Sequence, residues 1–304
     1  MKQTNSAIKF LMAQYRAIFN NAYFKGLATA TVATLALAAG QAQAATATPT
    51  LAETLKNTTA KAPAGDFTLS TTETISGAGG YMGNLTIASG GSLSFDGSTT
   101  ANTGHIHASG TVEVQEGGSL TVKGNSTSNT DHGIFGSYID AGAGVFDDYP
   151  NSKFVVNGGT VINEHAQIQM NRIELNNAIV TVKTNCGNDS NSDWADNAMI
   201  GAALAGDKAG NLISGTGVLN VTGTSNITLD SGSQLFANVF NLTGGTINMK
   251  GESATNSAVI RGFYKGAQIN IKGLDINASG SGNYIGGNVI GSTKNSGVAL
   301  YFVM

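Results

Sequence analysis

The chain has 304 residues and a formal net charge of −3, with 41% hydrophobic and only 12% charged residues. Intrinsic disorder requires low hydrophobicity and high net charge, so this composition excludes it for most of the chain. The charged fraction is about half that of an average soluble protein, and Asn, Thr and Ser fill the polar positions instead. Uncharged polar residues that alternate with apolar ones favour exposed β-sheet over helix.

Residues 1–44 have the pattern of a secretory signal peptide. An apolar stretch at 27–39 precedes the small-x-small sequence Ala42-Gln43-Ala44, which predicts cleavage between Ala44 and Ala45. A membrane anchor is disfavoured, because about 20 apolar residues are needed to span a bilayer. The charges before Glu53 are all basic: Lys2, Lys9, Arg16 and Lys25. We therefore expect an exported protein that uses the Sec translocon.

Cleavage leaves 12 basic residues (16 less these 4) and 19 acidic residues, a formal charge of −7. Phosphate binding needs a basic patch, so we expect no nucleic-acid partner. Cys186 is the only cysteine, which excludes an intrachain disulfide. No histidine lies near it in the sequence, so a buried or bystander thiol is favoured over a catalytic one.

Residues 45–66 are predicted to be a linker with a short helix over 51–56, and the β pattern begins at Phe67. One short phrase recurs within that pattern. A glycine pair is followed by alternating small polar and apolar residues, which is typical of a turn that leads into a short strand. The phrase occurs at 90–95, 117–122, 158–162 and 244–249.

The predicted strands are three to five residues long, and most of them alternate with a period of two. In chain order they are 85–87, 93–95, 111–114, 120–122, 154–156, 167–170, 172–175, 179–182, 218–221, 227–229, 239–242, 247–249, 268–271 and 274–276. A second phrase, in which two apolar residues lie close to a glycine, predicts strands that enter a sharp corner. It occurs at 133–136, 198–201, 259–262 and 284–287.

Short strands at even spacing occur in sandwiches, barrels and β-solenoids. The solenoid is favoured by the recurring glycine pair, by spacings below those of sandwich strands, and by Asn and Thr at positions where stacked coils form side-chain ladders. We predict an all-β right-handed parallel β-helix over 67–304, with about ten coils of about 20–25 residues. Two polar segments, 124–132 and 185–197, are predicted to loop out of the stack.

Candidate metal ligands are few. A calcium loop is suggested by oxygen-bearing residues at Asp189, Asn191, Asp193 and Asp196. Trp194 occupies the place of the glycine in an EF-hand loop, and Ile200 occupies the place of its bidentate glutamate. A solvated acidic loop is therefore the favoured interpretation. We expect no resident metal or cofactor.

His105 and His107 bring two imidazoles to one face of a predicted strand, an arrangement that suits a metal ion. No Cys, Asp or Glu at ligand spacing completes the set, so exposed strand histidines are the favoured interpretation. A polysaccharide-cleaving β-helix would need clustered carboxylates or basic residues on one face of adjacent coils. The sequence does not determine coil register, and we expect no enzymatic activity.

Several segments resemble a known family. The long N-terminal region with Tyr and Phe and the Ala-Gln-Ala site resemble the extended signal peptides of type V secretion. Leu-Thr-Ile-Ala-Ser-Gly-Gly-Ser-Leu at 85–93 and Val-Gln-Glu-Gly-Gly-Ser-Leu-Thr-Val at 114–122 resemble pertactin-like passenger domains of bacterial autotransporters. The resemblance covers nearly the whole chain. It implies export through an outer-membrane translocator barrel, a β-helical stalk outside the cell and, commonly, adhesion.

The sequence departs from this family at its C-terminus. Residues 298–304 are predicted to form one more strand, and no run of alternating ten-residue membrane strands precedes them. We expect a fragment of a longer autotransporter, a truncated product, or a protein exported with a separate barrel. Two functions stay open: a surface-displayed structural or adhesive passenger, which we favour, and a secreted carbohydrate-active β-helix enzyme.

Overall fold

The computed structural model describes residues 49–59, 61–77, 79–97, 104–124, 133–136, 149–183, 198–203, 214–253, 257–262, 267–287 and 299–302. The predicted signal peptide and its cleavage site at Ala44 and Ala45 lie outside these ranges. Among the described residues, one short helix, α1 (Leu51–Leu55), precedes a series of β-strands. Within the described ranges, no helix has the length and apolar character needed to cross a membrane.

The strands form three parallel sheets, and the chain visits the three sheets in rotation. Sheet I contains β1 (Phe67–Leu69), β4 (Leu85–Ile87), β7 (Thr111–Val114), β10 (Lys153–Asn157), β13 (Arg172–Asn176), β16 (Val218–Thr222), β19 (Val239–Thr243), β22 (Gln268–Lys272) and β25 (Ala299–Phe302). Sheet II contains β2 (Thr72–Ser76), β5 (Ser92–Asp96), β8 (Ser119–Lys123), β11 (Thr160–Glu164), β14 (Ile179–Lys183), β17 (Asn226–Asp230), β20 (Thr246–Lys250) and β23 (Asp275–Ala278). Sheet III contains β3 (Gly80–Met82), β6 (His105–Ala108), β9 (Gly133–Phe135), β12 (Gln167–Met170), β15 (Ala198–Ala202), β18 (Ser233–Ala237), β21 (Ala258–Gly262) and β24 (Asn283–Gly287).

This rotation is that of a parallel β-helix, which confirms the predicted fold. The described strands form eight complete coils followed by β25, rather than about ten coils. The difference arises because coil length varies widely. Ser152 and Asn171, which face each other across neighbouring coils, are 19 residues apart in the sequence, whereas Asn176 and Thr222 are 46 residues apart.

The extra length is confined to one side of the coil. From the second coil onward, two to four residues connect each sheet I strand to the next sheet II strand. Every longer connection lies directly before or after a strand of sheet III. Insertions in this solenoid are therefore placed at the two borders of sheet III, and the corner between sheets I and II stays tight.

The repeated glycine pair forms that tight corner. Gly90 has a φ of +80°, a left-handed conformation that side chains disfavour. Gly91 lies against the preceding coil, where an added Cβ would overlap the backbone oxygen of Leu69. In this pair the first glycine thus provides the turn, and the second allows close stacking of coils. A positive φ recurs at the equivalent corner positions Gly117, Gly158, Asn177, Gly223, Gly244 and Gly273.

Sheets I and II show the alternation that the sequence predicts. Their central strands have buried residues at every second position, and the intervening residues face outward. Sheet III differs, because all residues of β9, β12, β15 and β18 are buried. Its inner face contributes an aliphatic row to the core: Ile106, Ile134, Ile168, Ile200, Leu235 and Ile260.

Helix α1 packs on the first coil. Its residues Leu51 and Leu55 are only 0% and 3% exposed and belong to the same hydrophobic cluster as the coils. Thr50 and Glu53 form a reciprocal capping box at its N-terminus, with bonds of 3.2 Å and 3.0 Å. The carboxylate of Glu73 on β2 accepts a hydrogen bond from the Leu51 backbone N–H at 2.7 Å. The helix therefore covers apolar surface that the first coil would otherwise expose.

A row of alternating charges follows the outer face of sheet II. Asp96 is in register with Lys123, Lys123 with Glu164, and Glu164 with Lys183. Asp230 and Lys250 are in register in the later coils. Two of these pairs have an N–O distance of 3.4 Å, Lys183–Glu164 and Lys250–Asp230. Opposite charges on directly facing residues favour this register over a slipped one.

Reversing one charge in this row should weaken the stack. Lys183→Glu would place a second carboxylate beside Glu164, and we expect a loss of about 1 kcal/mol in the free energy of unfolding. Lys183→Gln, which removes the attraction without adding repulsion, should cost less. Urea unfolding at low and high salt tests this, because salt screens partly exposed charges. Equal stability of the two variants at low salt would contradict an electrostatic role for the row.

Candidate functional site

The outer face of sheet I carries a directional chain of amides. Asn270 donates from Nδ2 to Oδ1 of Asn241 at 3.0 Å, and Asn241 donates to Asn220 at 2.8 Å. Asn220 in turn donates to the carboxylate of Glu174 at 3.2 Å. Three successive coils each add one amide in the same orientation, which confirms the expectation of side-chain ladders for this part of the stack. The chain fixes the positions of hydrogen-bonding groups along this face.

Sheet II carries a second amide chain. Asn277 donates to Asn248 at 3.1 Å, and Asn248 donates to Asn226 at 3.0 Å. Beside this chain is a shallow concavity of about 240 Å³, which is smaller than a typical ligand pocket. It is lined by Thr228, Asn248, Met249, Lys250, Asn277, Ala278 and Ser279. Uncharged donors and acceptors of this kind suit hydroxyl-rich ligands.

The outer face of sheet III holds the histidine–aromatic cluster, which consists of Tyr81, His105, His107 and Phe135. His107 on β6 is in register with Tyr81 on β3 and with Phe135 on β9. The rings of Tyr81 and His107 stack with centroids 4.6 Å apart and planes at 7°. His105 meets His107 edge to face at 4.5 Å, and it meets Phe135 in the same way at 5.7 Å.

Burial changes the chemistry of one histidine in this cluster. His107 is only 9% exposed, so the interpretation of the pair as exposed strand histidines is wrong for His107, whereas His105 is half-buried. Burial, together with the nearby His105, lowers the pKa of His107 from 6.5 to about 4. A charged imidazole loses solvation when it is buried, and the neutral form is favoured. His107 is therefore neutral at physiological pH.

This lowered pKa predicts acid sensitivity. The folded pKa of His107 lies below the unfolded value, so the unfolded state binds more protons between about pH 4 and 6.5. Stability should hold above pH 6.5 and fall as the pH drops to about 4, by about 3 kcal/mol from this group. His107→Phe keeps a ring against Tyr81 and removes the titration. Urea midpoints from pH 7 to pH 4 should diverge between wild type and this variant, and parallel curves would contradict the prediction.

The remaining predicted site residues lie outside the described residues. These are the weak calcium candidates Asp189, Asn191, Asp193 and Asp196, together with Cys186. The two predicted loops, 124–132 and 185–197, also lie outside them, apart from Gly124. Within the described ranges, no group of three or more His, Cys, Asp or Glu side chains is arranged to hold a metal ion.

His105 and His107 were identified from the sequence as candidate metal ligands, but their aromatic neighbours were not. The signal was present as Tyr81 and Phe135, each close to a glycine in a short apolar stretch. Their contact with the histidines depends on the register of β3, β6 and β9. That register could not be read from the connections, because their lengths differ from coil to coil.

Comparison with known proteins gives no relative. No family model matches the chain, and neither a curated protein nor a solved structure matches it.

Proposed function

We propose that this protein is an exported β-helical passenger with a structural or adhesive role at the surface of a Gram-negative bacterium or in its surroundings. The observation that carries the proposal is the repetition of polar side chains along the outer faces of sheets I and II. Neighbouring strands in a sheet are about 4.8 Å apart, so the eight coils of the described residues give each face a length of about 35–40 Å. Along three successive coils of each face, the amide chains hold donors and acceptors at that regular spacing.

Such faces suit adhesion for a physical reason. A repeated contact that is weak by itself gains strength when several copies engage one extended partner, because later contacts form within the complex. Amides and hydroxyls hydrogen-bond without the desolvation cost of buried charges. The expected partners are a host surface rich in glycans or protein, or a second copy of the chain.

The charged row on sheet II also favours this function over carbohydrate cleavage. A glycosidase needs two carboxylates that flank one scissile bond. In the row, Glu164 lies between Lys123 and Lys183, and Asp230 pairs with Lys250. These carboxylates alternate with ammonium groups, an arrangement that neutralises charge along the stack rather than creating an acid–base pair.

The proposed route of export follows from the signal-like N-terminus and from the autotransporter resemblance. The Sec translocon would carry the chain across the inner membrane, and an outer-membrane translocator barrel would carry it outside. A β-helix suits this route, because each coil contacts only its neighbours and can fold as it emerges. Protease treatment of intact cells tests display. Degradation of the protein without lysis is the expected result, and protection until lysis would contradict surface exposure.

The adhesive role is tested by binding of the purified full chain to cells, matrix proteins, glycan arrays and itself. Two matched variants separate the faces: Val239→Lys on sheet I and Thr181→Lys on sheet II, both at outward positions of central strands. We expect one variant to reduce binding at least tenfold and the other to leave it unchanged. Failure of the wild type to bind any of these partners would contradict adhesion, and polysaccharide cleavage would favour the enzyme alternative.

A further inference from the structure

We propose that His105 and His107 form a two-histidine site for a borderline divalent cation of the Cu²⁺, Ni²⁺ and Zn²⁺ group, on the outer face of β6. This site is independent of the proposed adhesion, because it involves only the histidine–aromatic cluster. It reverses the expectation that no metal is bound, and the reason lies in the packing around the two rings.

The two histidine side chains lie on the same face of β6. Ile106 and Ala108 point into the hydrophobic core, so His105 and His107 point to the opposite face of the same strand. Their ring centroids are 4.5 Å apart. Two imidazoles that share one tetrahedral ion at normal Zn–N distances have centroids about 5 Å apart. The ring planes now meet at 84°, so the half-buried His105 ring must turn until one nitrogen of each ring faces the ion.

The aromatic neighbours preorganise the site. Tyr81 stacks on His107 at 4.6 Å, and Phe135 lies on the other side with its centroid 6.0 Å away. These rings limit rotation of the His107 imidazole, so less entropy is lost when a metal binds.

The ligand type determines the selectivity of the site. Neutral imidazole nitrogens suit Cu²⁺, Ni²⁺ and Zn²⁺, whereas Ca²⁺ and Mg²⁺ prefer oxygen ligands. Among the described residues, no third His, Cys, Asp or Glu joins the pair. Water would then fill the remaining positions of the ion. Because both protein ligands are imidazole nitrogens, Cu²⁺ should bind more tightly than Ni²⁺ and Zn²⁺.

The test is a titration of the purified, metal-free full chain with Cu²⁺ and Zn²⁺ in a calorimeter, with Ca²⁺ as a negative control. We expect a Cu²⁺ site of micromolar or tighter affinity whose electron paramagnetic resonance spectrum shows two coupled nitrogens. His105→Asn and His107→Asn should each weaken this site at least tenfold. His165→Asn is the matched control, because His165 lies in the turn between β11 and β12 and not on β6. This variant should bind Cu²⁺ as tightly as the wild type.

A second pair of variants separates the metal site from a purely structural cluster. Tyr81→Phe keeps the stacking ring and should preserve affinity, whereas Tyr81→Leu removes it and should weaken Cu²⁺ binding by about tenfold. Far-UV circular dichroism without metal shows whether each variant is folded. Millimolar affinity in the wild type, or equal binding by wild type and both histidine variants, would overturn the proposal.

Discussion

Replacing Gly91 by alanine is expected to destabilise the protein by about 3 kcal/mol, a cost at the upper end of the range for overpacking. The added Cβ would overlap the backbone oxygen of Leu69 in the preceding coil. That oxygen accepts the hydrogen bond of the Ala88 backbone N–H at 2.9 Å, so it cannot move without loss of pairing between coils. Urea unfolding followed by far-UV circular dichroism measures the effect.

Gly90 provides the matched control, because a Cβ at that position would meet no atom within 4 Å. Gly90→Ala should cost only the strain of a left-handed residue, about 1 kcal/mol. Gly90→Asn should cost less still, since Asn177 adopts a φ of 49° at the equivalent corner of a later coil. Equal destabilisation by Gly90→Ala and Gly91→Ala would show that stacking distance does not explain the glycine pair.

At this corner, part of the structure could be predicted from the repeated phrase and part could not. The phrase predicted a turn followed by a strand, and the structure confirms this at the border of sheets I and II. The sequence did not reveal that the two positions require glycine for different physical reasons. Ala178, which is buried, follows Asn177 where other coils have the second glycine. The need for glycine there is local, and it depends on the approach of the preceding coil.

Strands of sheets I and II could be predicted because one of their faces is buried and the other meets solvent. Sheet III strands were predicted less well. The strand β18 was missed because all five of its residues are buried, so its sequence Ser-Gln-Leu-Phe-Ala shows no period of two. The strand β2 was missed for the opposite reason. It is mostly exposed, and only Ile75 among its residues is buried.

Nothing in the sequence explains why residue 201 on sheet III is a glycine. A Cβ on Gly201 would overlap the ring of Phe236, which is in register with it on the neighbouring strand. The ring of Phe236 is fully buried, although it lies on the outer side of the sheet. A contact of this kind joins residues from successive coils, and the variable connections hide it from the sequence. The histidine–aromatic cluster was hidden for the same reason.

The largest loss of stability is expected from Phe240→Ala. Phe240 is 0% exposed and in register with Leu219 on one side and Ile269 on the other. Truncation of a buried phenylalanine costs about 3–5 kcal/mol, because apolar contacts are lost and a cavity remains. Phe240→Leu keeps most of the volume and should cost less than about 1.5 kcal/mol.

Ile179, a large apolar residue on the surface, is the control for the truncation of Phe240. Ile179 is 54% exposed on the outward side of β14, and Ile179→Ala should change stability by no more than about 0.5 kcal/mol. In a solenoid each coil is stabilised by its neighbours, so the cavity at Phe240 should also weaken pairing on both sides of β19. Hydrogen exchange should then increase in β16 and β22 while β4 stays protected. Uniform loss of protection along the stack would indicate that the eight coils unfold as one cooperative unit.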